Sequence, residues 1–293
     1  MSLAHAIADF LAIKEAENLS AKTVADYRQQ LHLFVQSLPP AVADVEEITT
    51  AHCAAFLAAE RARGLSPYTI HSRYRTLRVF LRWASAEMDF RNPLTFKAPR
   101  VRIQPPRRAE GESVSRLLDS IAQETWLDVR DRAIIHLLHG TGVRVQECAD
   151  LHIADVDVSR RLLYVADGKG HKARYVPFSS PVAVAVTGYL YNRPACAVPH
   201  LLLGAVNRHG QPEGPLSAGG IRQMLERRCK AAGLPYINPH SLRHLFATKA
   251  LNDGIPLSAV SRMMGHTSTD FTARVYARWL TDGLARVYDE HWK

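Results

Sequence analysis

The chain has 293 residues, and nearly half of its side chains are apolar, which suits two folded domains with separate cores and excludes a disordered polymer. Its formal charge is +9 and its pI near 9.6; with no basic leader and no apolar run of membrane-spanning length, this points to a cytoplasmic protein with a polyanionic partner and argues against membrane residence. Cys53, Cys148, Cys196 and Cys229 lie far apart without a C-x-x-C pair, so reduced thiols are expected and a zinc cluster is not.

In chain order, the first hundred residues read as four helices. Leu3 to Leu19 is the first. The second starts behind Ser20 as N-cap, carries Val24, Tyr27, Leu31, Phe34, Val35 and Leu38 on one stripe, and stops at Pro39-Pro40. The third runs from Thr50 to Arg63, with Gly64 placed to end it. The fourth opens with Ser66 as cap and Pro67 at the first helical position. On it, Ile70, Tyr74, Leu77, Leu81 and Ala84 share one face, while His71, Arg75, Arg78 and Arg82 share another.

That cationic face belongs to a larger block. From Arg61 to Arg108 twelve basic residues meet only two acidic ones, Glu87 and Asp89. Ordinary solubility charge intersperses both signs, so the block reads as a duplex-DNA footprint, with His71, Arg75, Arg78, Arg82, Arg107 and Arg108 as candidate contacts. Between Asn92 and Gly111, prolines alternate with basic residues and no apolar period survives. The expected division is a helical DNA-binding domain over 1–100, a basic Pro-rich linker over 101–110, and a second domain over 111–293.

The second domain reads as mostly helical. Helices are expected at Glu110 to Glu124, Leu127 to His139 (closed by Gly140), Pro181 to Tyr191, Ser217 to Ala232, Ser241 to Asp253, Pro256 to Met264, Asp270 to Leu280 and Asp282 to Trp292. Arg161 to Ala166 and Ala173 to Phe178 read as short strands, with Asp167-Gly168-Lys169-Gly170-His171 turning between them. The fold class is therefore mainly α, with a small antiparallel β element in the second domain.

Six residues of this domain suit one reaction. Arg144 stands in T-G-V-R-V-Q-E, Lys169 in G-K-G-H-K, His240 and Arg243 in P-H-S-L-R-H, His266 in M-M-G-H-T-S-T, and Tyr276 in A-R-V-Y-A-R. Exchange of a phosphodiester needs a nucleophile, donors for charge growing on the non-bridging oxygens, and a proton for the leaving oxygen. A guanidinium fork grips two phosphate oxygens and keeps its charge. Glu147, three positions after Arg144, is placed to brace it, and His240 and Arg243 at i,i+3 point the same way. Lys169 at a hairpin tip suits a general acid. A free phenol has a pKa of about 10, so Tyr276 as nucleophile needs cationic neighbours or a base. Each motif alone has a plain alternative: a solvated turn lysine, a buried histidine, a core tyrosine. His240 and His244 at i,i+4 would suit a metal, but the zincin pattern wants Glu where Ser241 stands.

These contexts, in this order, resemble the tyrosine recombinase or phage integrase family, and most closely its short Xer-like members. The resemblance spans nearly the whole chain. It implies a helical core-binding domain and a catalytic domain, in which Arg144, Lys169, His240, Arg243 and His266 activate and clamp the phosphate. Tyr276 would form a 3′-phosphotyrosine with release of a 5′-hydroxyl, without cofactor or metal. It further implies four subunits on two duplex DNA sites, of this chain alone or together with a second recombinase, joined by a helix that follows Tyr276. The gap from His266 to Tyr276 is ten positions, one longer than in most relatives, and Arg278 stands where the family commonly has histidine. Competing readings are a catalytically inactive DNA-binding accessory protein, a topoisomerase of the type IB kind, and a metal-dependent nuclease.

Overall fold

The structure, a computed structural model, describes residues 1–101, 111–166, 173–204, 206–207, 212 and 214–265. The chain divides into two compact units, Met1–Pro105 and Pro106–Lys293.

The first unit is a bundle of four helices: α1 (Leu3–Ala16), α2 (Ala21–Gln36), α3 (Thr50–Ala62) and α4 (Pro67–Glu87). Local chemistry sets most of these ends. The hydroxyls of Ser20 and Ser66 accept from the amides of Thr23 and Thr69, capping α2 and α4. Gly64, at φ +80°, turns the chain out of α3, a conformation that costs an L side chain. The core joins Phe10, Leu31, Phe34, Leu77, Phe80 and Leu81, and Phe10 meets Phe80 edge to face at 5.5 Å. Ile70, Tyr74, Leu77, Leu81 and Ala84 of α4 are all buried, as their spacing predicts.

The stretch after Asn92 differs from a free linker. Leu94, Phe96 and Ala98 pack onto the bundle core. The Thr50 hydroxyl donates to Pro93 O at 2.6 Å, and the Tyr74 hydroxyl to Phe96 O at 2.7 Å. These apolar residues have no regular period because they lie on a finished bundle without regular secondary structure of their own. The linker residues 102–110 lie outside the described residues.

The second unit contains α5 (Gly111–Asp119), α6 (Trp126–Thr141), α7 (Val145–Asp150), β1 (Val156–Asp157), β2 (Leu162–Val165), β3 (Arg174–Pro177), α8 (Ser180–Asn192), α9 (Ala218–Ala231), α10 (Pro239–Asn252) and α11 (Leu257–Met264). Helix α6 is central: Ile134, Ile135, Leu137 and Leu138 are fully buried, and it packs against α8 and α10. At Gly140 an added Cβ would lie 2.4 Å from Val182 Cγ2, so this glycine sets how closely α8 approaches. It does not end the helix. Helix α6 runs on to Thr141 and is closed by Gly142 in the left-handed region.

The strands form an antiparallel sheet in the order β1-β2-β3, with Leu163 opposite Val176 and Tyr164 opposite Tyr175. Leu163, Val165 and Val176 point into the core, while Tyr175 is exposed. The two-residue β1 is too short to leave a periodic signal in sequence. The expected helices at Asp270 to Leu280 and Asp282 to Trp292, and the turn around Lys169, lie outside the described residues. Among the described residues no helix is long and apolar enough to cross a membrane.

Gly142 combines φ +65° with a virtual Cβ 2.3 Å from the Phe246 ring. Gly142→Ala is expected to lower unfolding free energy by at least ~2 kcal/mol, from backbone strain and overpacking together, as read by urea denaturation.

Candidate active site

The turn that ends α6 delivers the first candidate. After Gly142 and the buried Val143, Arg144 becomes the N-cap of α7. Its amide donates to Glu147 Oε2 at 2.8 Å and its Nη1 to Glu147 Oε1 at 2.7 Å. The bracing expected at i,i+3 is therefore present, and backbone and side chain both take part. Arg144 Nη2 donates to Gly265 O at 2.9 Å. A guanidinium has five N–H groups and the side chain is 30% exposed, so donors remain for a ligand.

Arg243 reaches the same place from α10. That helix begins at Pro239 behind Asn238, whose side chain accepts the Ser241 amide at 2.9 Å. Arg243 is buried, and it donates to Gly142 O and Met264 O. Arg144 and Arg243 thus hold successive carbonyls, Gly265 and Met264, at the end of α11.

A third arginine was given no role by sequence reasoning. Arg174 opens β3, its side chain only 9% exposed. Nε donates to Met263 O at 2.7 Å, and the two Nη atoms fork onto Glu147 at 3.0 and 2.7 Å. The available signal was a charged residue in register with the inward-facing Val176 two places on. The last carbonyls of α11 and its cap, Met263, Met264 and Gly265, thereby accept one arginine each. A helix leaves these oxygens without intrahelical partners, at the negative end of its dipole.

Glu147 is the counter-charge. Burial works to raise its pKa, but hydrogen bonds from Arg174 and from the Arg144 amide and guanidinium outweigh it and hold the carboxyl below its ordinary value. Gly265 completes the arrangement. It sits at φ +63°, and a Cβ there would lie 2.8 Å from Arg174 Nη1.

His240, one turn before Arg243, is exposed, and its Nε2 lies 2.8 Å from Nε2 of His244. Such a contact needs one ring to donate and the other to accept, so at least one is neutral. Desolvation of the ring by the atoms packed around it, and then the nearby Arg243, lower the His240 pKa. Burial, His240 and Arg243 bring His244 down to about 4. Both rings are therefore uncharged near neutrality. Among the described residues no group of three or more His, Cys, Asp or Glu side chains could hold a metal ion. Burial pushes the thiol of Cys148, beside Glu147, up to about 12, which leaves it inert.

Lys169, His266 and Tyr276 lie outside the described residues, as do Arg107 and Arg108. On α4, Arg75, Arg78 and Arg82 are exposed and form no ion pair among the described residues. His71 is half-buried, with Nδ1 3.0 Å from Pro99 O. Two other arginines of the basic block are matched internally: Arg63 and Arg73 both bond the buried Glu60.

The model of the phage integrase family matches residues 107–281, and that of the phage integrase N-terminal SAM-like domain matches residues 7–88. A relative named tyrosine recombinase XerC from Bacillus subtilis (strain 168) is 32% identical over 97% of this chain and 93% of its own. One of the same name from Mycobacterium sp. (strain KMS) is 36% identical over 85% and 84%. Among solved structures, the Tn1549 transposon integrase in complex with transposon right end DNA superposes with a TM-score of 0.79, covering 100% of this chain and 99% of that one at 20% identity. A lambda integrase tetramer bound to a Holliday junction gives 0.72, over 92% and 78%, also at 20% identity.

The lowered pKa of His244 makes a pH prediction. An unfolded imidazole takes its proton near 6.5, the folded one only near 4, so between these values the unfolded state binds more protons. The stability contributed by the neutral ring is complete above 6.5 and is lost as pH falls towards 4. Urea midpoints measured across this window should fall with pH, and His244→Gln should flatten the slope.

Proposed function

The chain belongs to the phage integrase family and is a site-specific tyrosine recombinase, and we propose that it cleaves and rejoins duplex DNA through a 3′-phosphotyrosine on Tyr276. The observation that carries this reading is the convergence of Arg144 and Arg243 on the end of α11, immediately before His266 in the chain. Relatives of matching length are named recombinases, so neither the accessory-protein nor the topoisomerase reading is favoured.

In this mechanism the Tyr276 oxygen attacks phosphorus while Arg144, Arg243 and His266 hold the non-bridging oxygens. The neutral His240 orients the phenol and accepts its proton. Lys169 gives a proton to the departing 5′-oxygen. One P–O bond forms as one breaks, so the phosphotyrosine keeps the energy of the ester, and a 5′-hydroxyl from a partner strand can reverse the step. The exposed Arg75, Arg78 and Arg82 of α4, with His71, Arg107 and Arg108, grip the duplex. We further assign the work to the cytoplasm and to a tetramer on two DNA sites, the tetramer being supported by the lambda integrase tetramer bound to a Holliday junction.

A suicide duplex, nicked beside a candidate site so that cleavage is trapped, tests the nucleophile. Incubated in chelator and run on a denaturing gel, the wild-type chain should give a covalent protein–DNA band that Tyr276→Phe lacks. A band surviving in the variant moves the nucleophile to another residue, with Tyr288 next to be tested. For the DNA grip, combined substitution of Arg75, Arg78 and Arg82 by Ala should weaken duplex binding and flatten its salt dependence, by about 0.9 in log–log slope for each phosphate that is no longer neutralised. Fluorescence anisotropy over a salt series reads this directly, and an unchanged slope removes α4 from the DNA.

A further inference from the structure

We propose that Arg174 is a positioning residue for the cleavage step, acting through Arg144: it shares Glu147 so that Arg144 meets the scissile phosphate with its charge uncancelled. This rests on the recombinase reading above.

The geometry separates the two arginines by task. Arg144 is 30% exposed and keeps unused N–H groups, while Arg174 is 9% exposed and lies beneath. Each Glu147 oxygen accepts twice. Oε1 takes Arg144 Nη1 and Arg174 Nη1; Oε2 takes the Arg144 amide and Arg174 Nη2. Arg144 and Glu147 alone would be a neutral pair with little pull on an anion. With Arg174 the trio carries one net positive charge, and the accessible part of it is Arg144.

Arg174 also fixes direction. Its Nε holds Met263 O on the same helix end whose Gly265 carbonyl holds Arg144 Nη2. The absent Cβ of Gly265 leaves the guanidinium room to lie there. Strand β3 begins a few residues after Lys169 in the chain, so one side chain ties that strand to both Arg144 and the helix end that precedes His266. An ion pair serving only stability would need neither the fork on Glu147 nor the bond to α11.

The test compares single-turnover adduct formation by the full chain on two nicked suicide duplexes. One has an ordinary phosphodiester at the cleaved position; the other has an uncharged methylphosphonate, which needs less positive charge to reach the transition state. Arg174→Met is expected to slow adduct formation on the phosphodiester by about 10–100-fold, the loss that removing the hydrogen-bonding partner of a ligand brings at metal sites. On the methylphosphonate the loss should be much smaller. Arg174→Lys, which keeps the charge without the fork, should fall between, and adding Arg174→Met to Arg144→Ala should cost little more than Arg144→Ala alone.

Equal losses on both duplexes, or no loss, would overturn the assignment. Melting and duplex binding report folding. If Arg174→Met is unfolded, the comparison is read from Arg174→Lys, and a Lys variant that is also unfolded assigns Arg174 to the fold alone and overturns the proposal. A wild-type chain that gives no adduct on either duplex overturns the recombinase reading itself, an outcome distinct from all of these.

Discussion

The second unit depends on what happens to three carbonyl oxygens. A helix end leaves its last oxygens unpaired, and burying them without donors would cost free energy at each one. Here Met263, Met264 and Gly265 are met by Arg174, Arg243 and Arg144, from a strand, a helix and a turn distant in sequence. The same bonds that satisfy the helix assemble the cationic site. Three guanidinium groups so close would repel one another in isolation. The helix dipole and the buried Glu147 make the arrangement tenable.

Much of this was legible in the sequence because short-range rules wrote it. Ser20 and Ser66 cap their helices as their side chains predict, and the buried stripe of α4 follows from spacing alone. The motif contexts of Arg144 and Arg243 identified both residues, and the structure brings them to one helix end. Family resemblance and residue chemistry converged on the same pair, which neither hydropathy nor charge density could have selected.

What escaped was set by tertiary packing. Gly140 and Gly142 look alike in sequence, and only the contact with Val182 at the first and the left-handed backbone of the second show that one serves packing and the other ends the helix. Phe96 and Leu94 carry no period because the surface they cover is made by other helices. Arg174 shares its strand face with Val176, but the partners that give it a task lie on α7 and α11, distant in sequence. The acidic counterpart of Arg63 and Arg73, Glu60, stands one residue before the basic block that opens at Arg61, so charge density along the chain hides it.

The shared helix end also governs how the site comes and goes. Ends of short helices usually fray first, residue by residue. At α11, fraying would take one acceptor each from Arg144, Arg174 and Arg243, and leave Arg144 and Arg174 to Glu147 and Arg243 to Gly142 O. Partial opening is therefore disfavoured relative to either a closed site or a fully dismantled one. The arginine cluster should behave as a single cooperative unit, with the amides at the end of α11, at the N-terminus of α7 and along β3 exchanging through an opening of one common free energy.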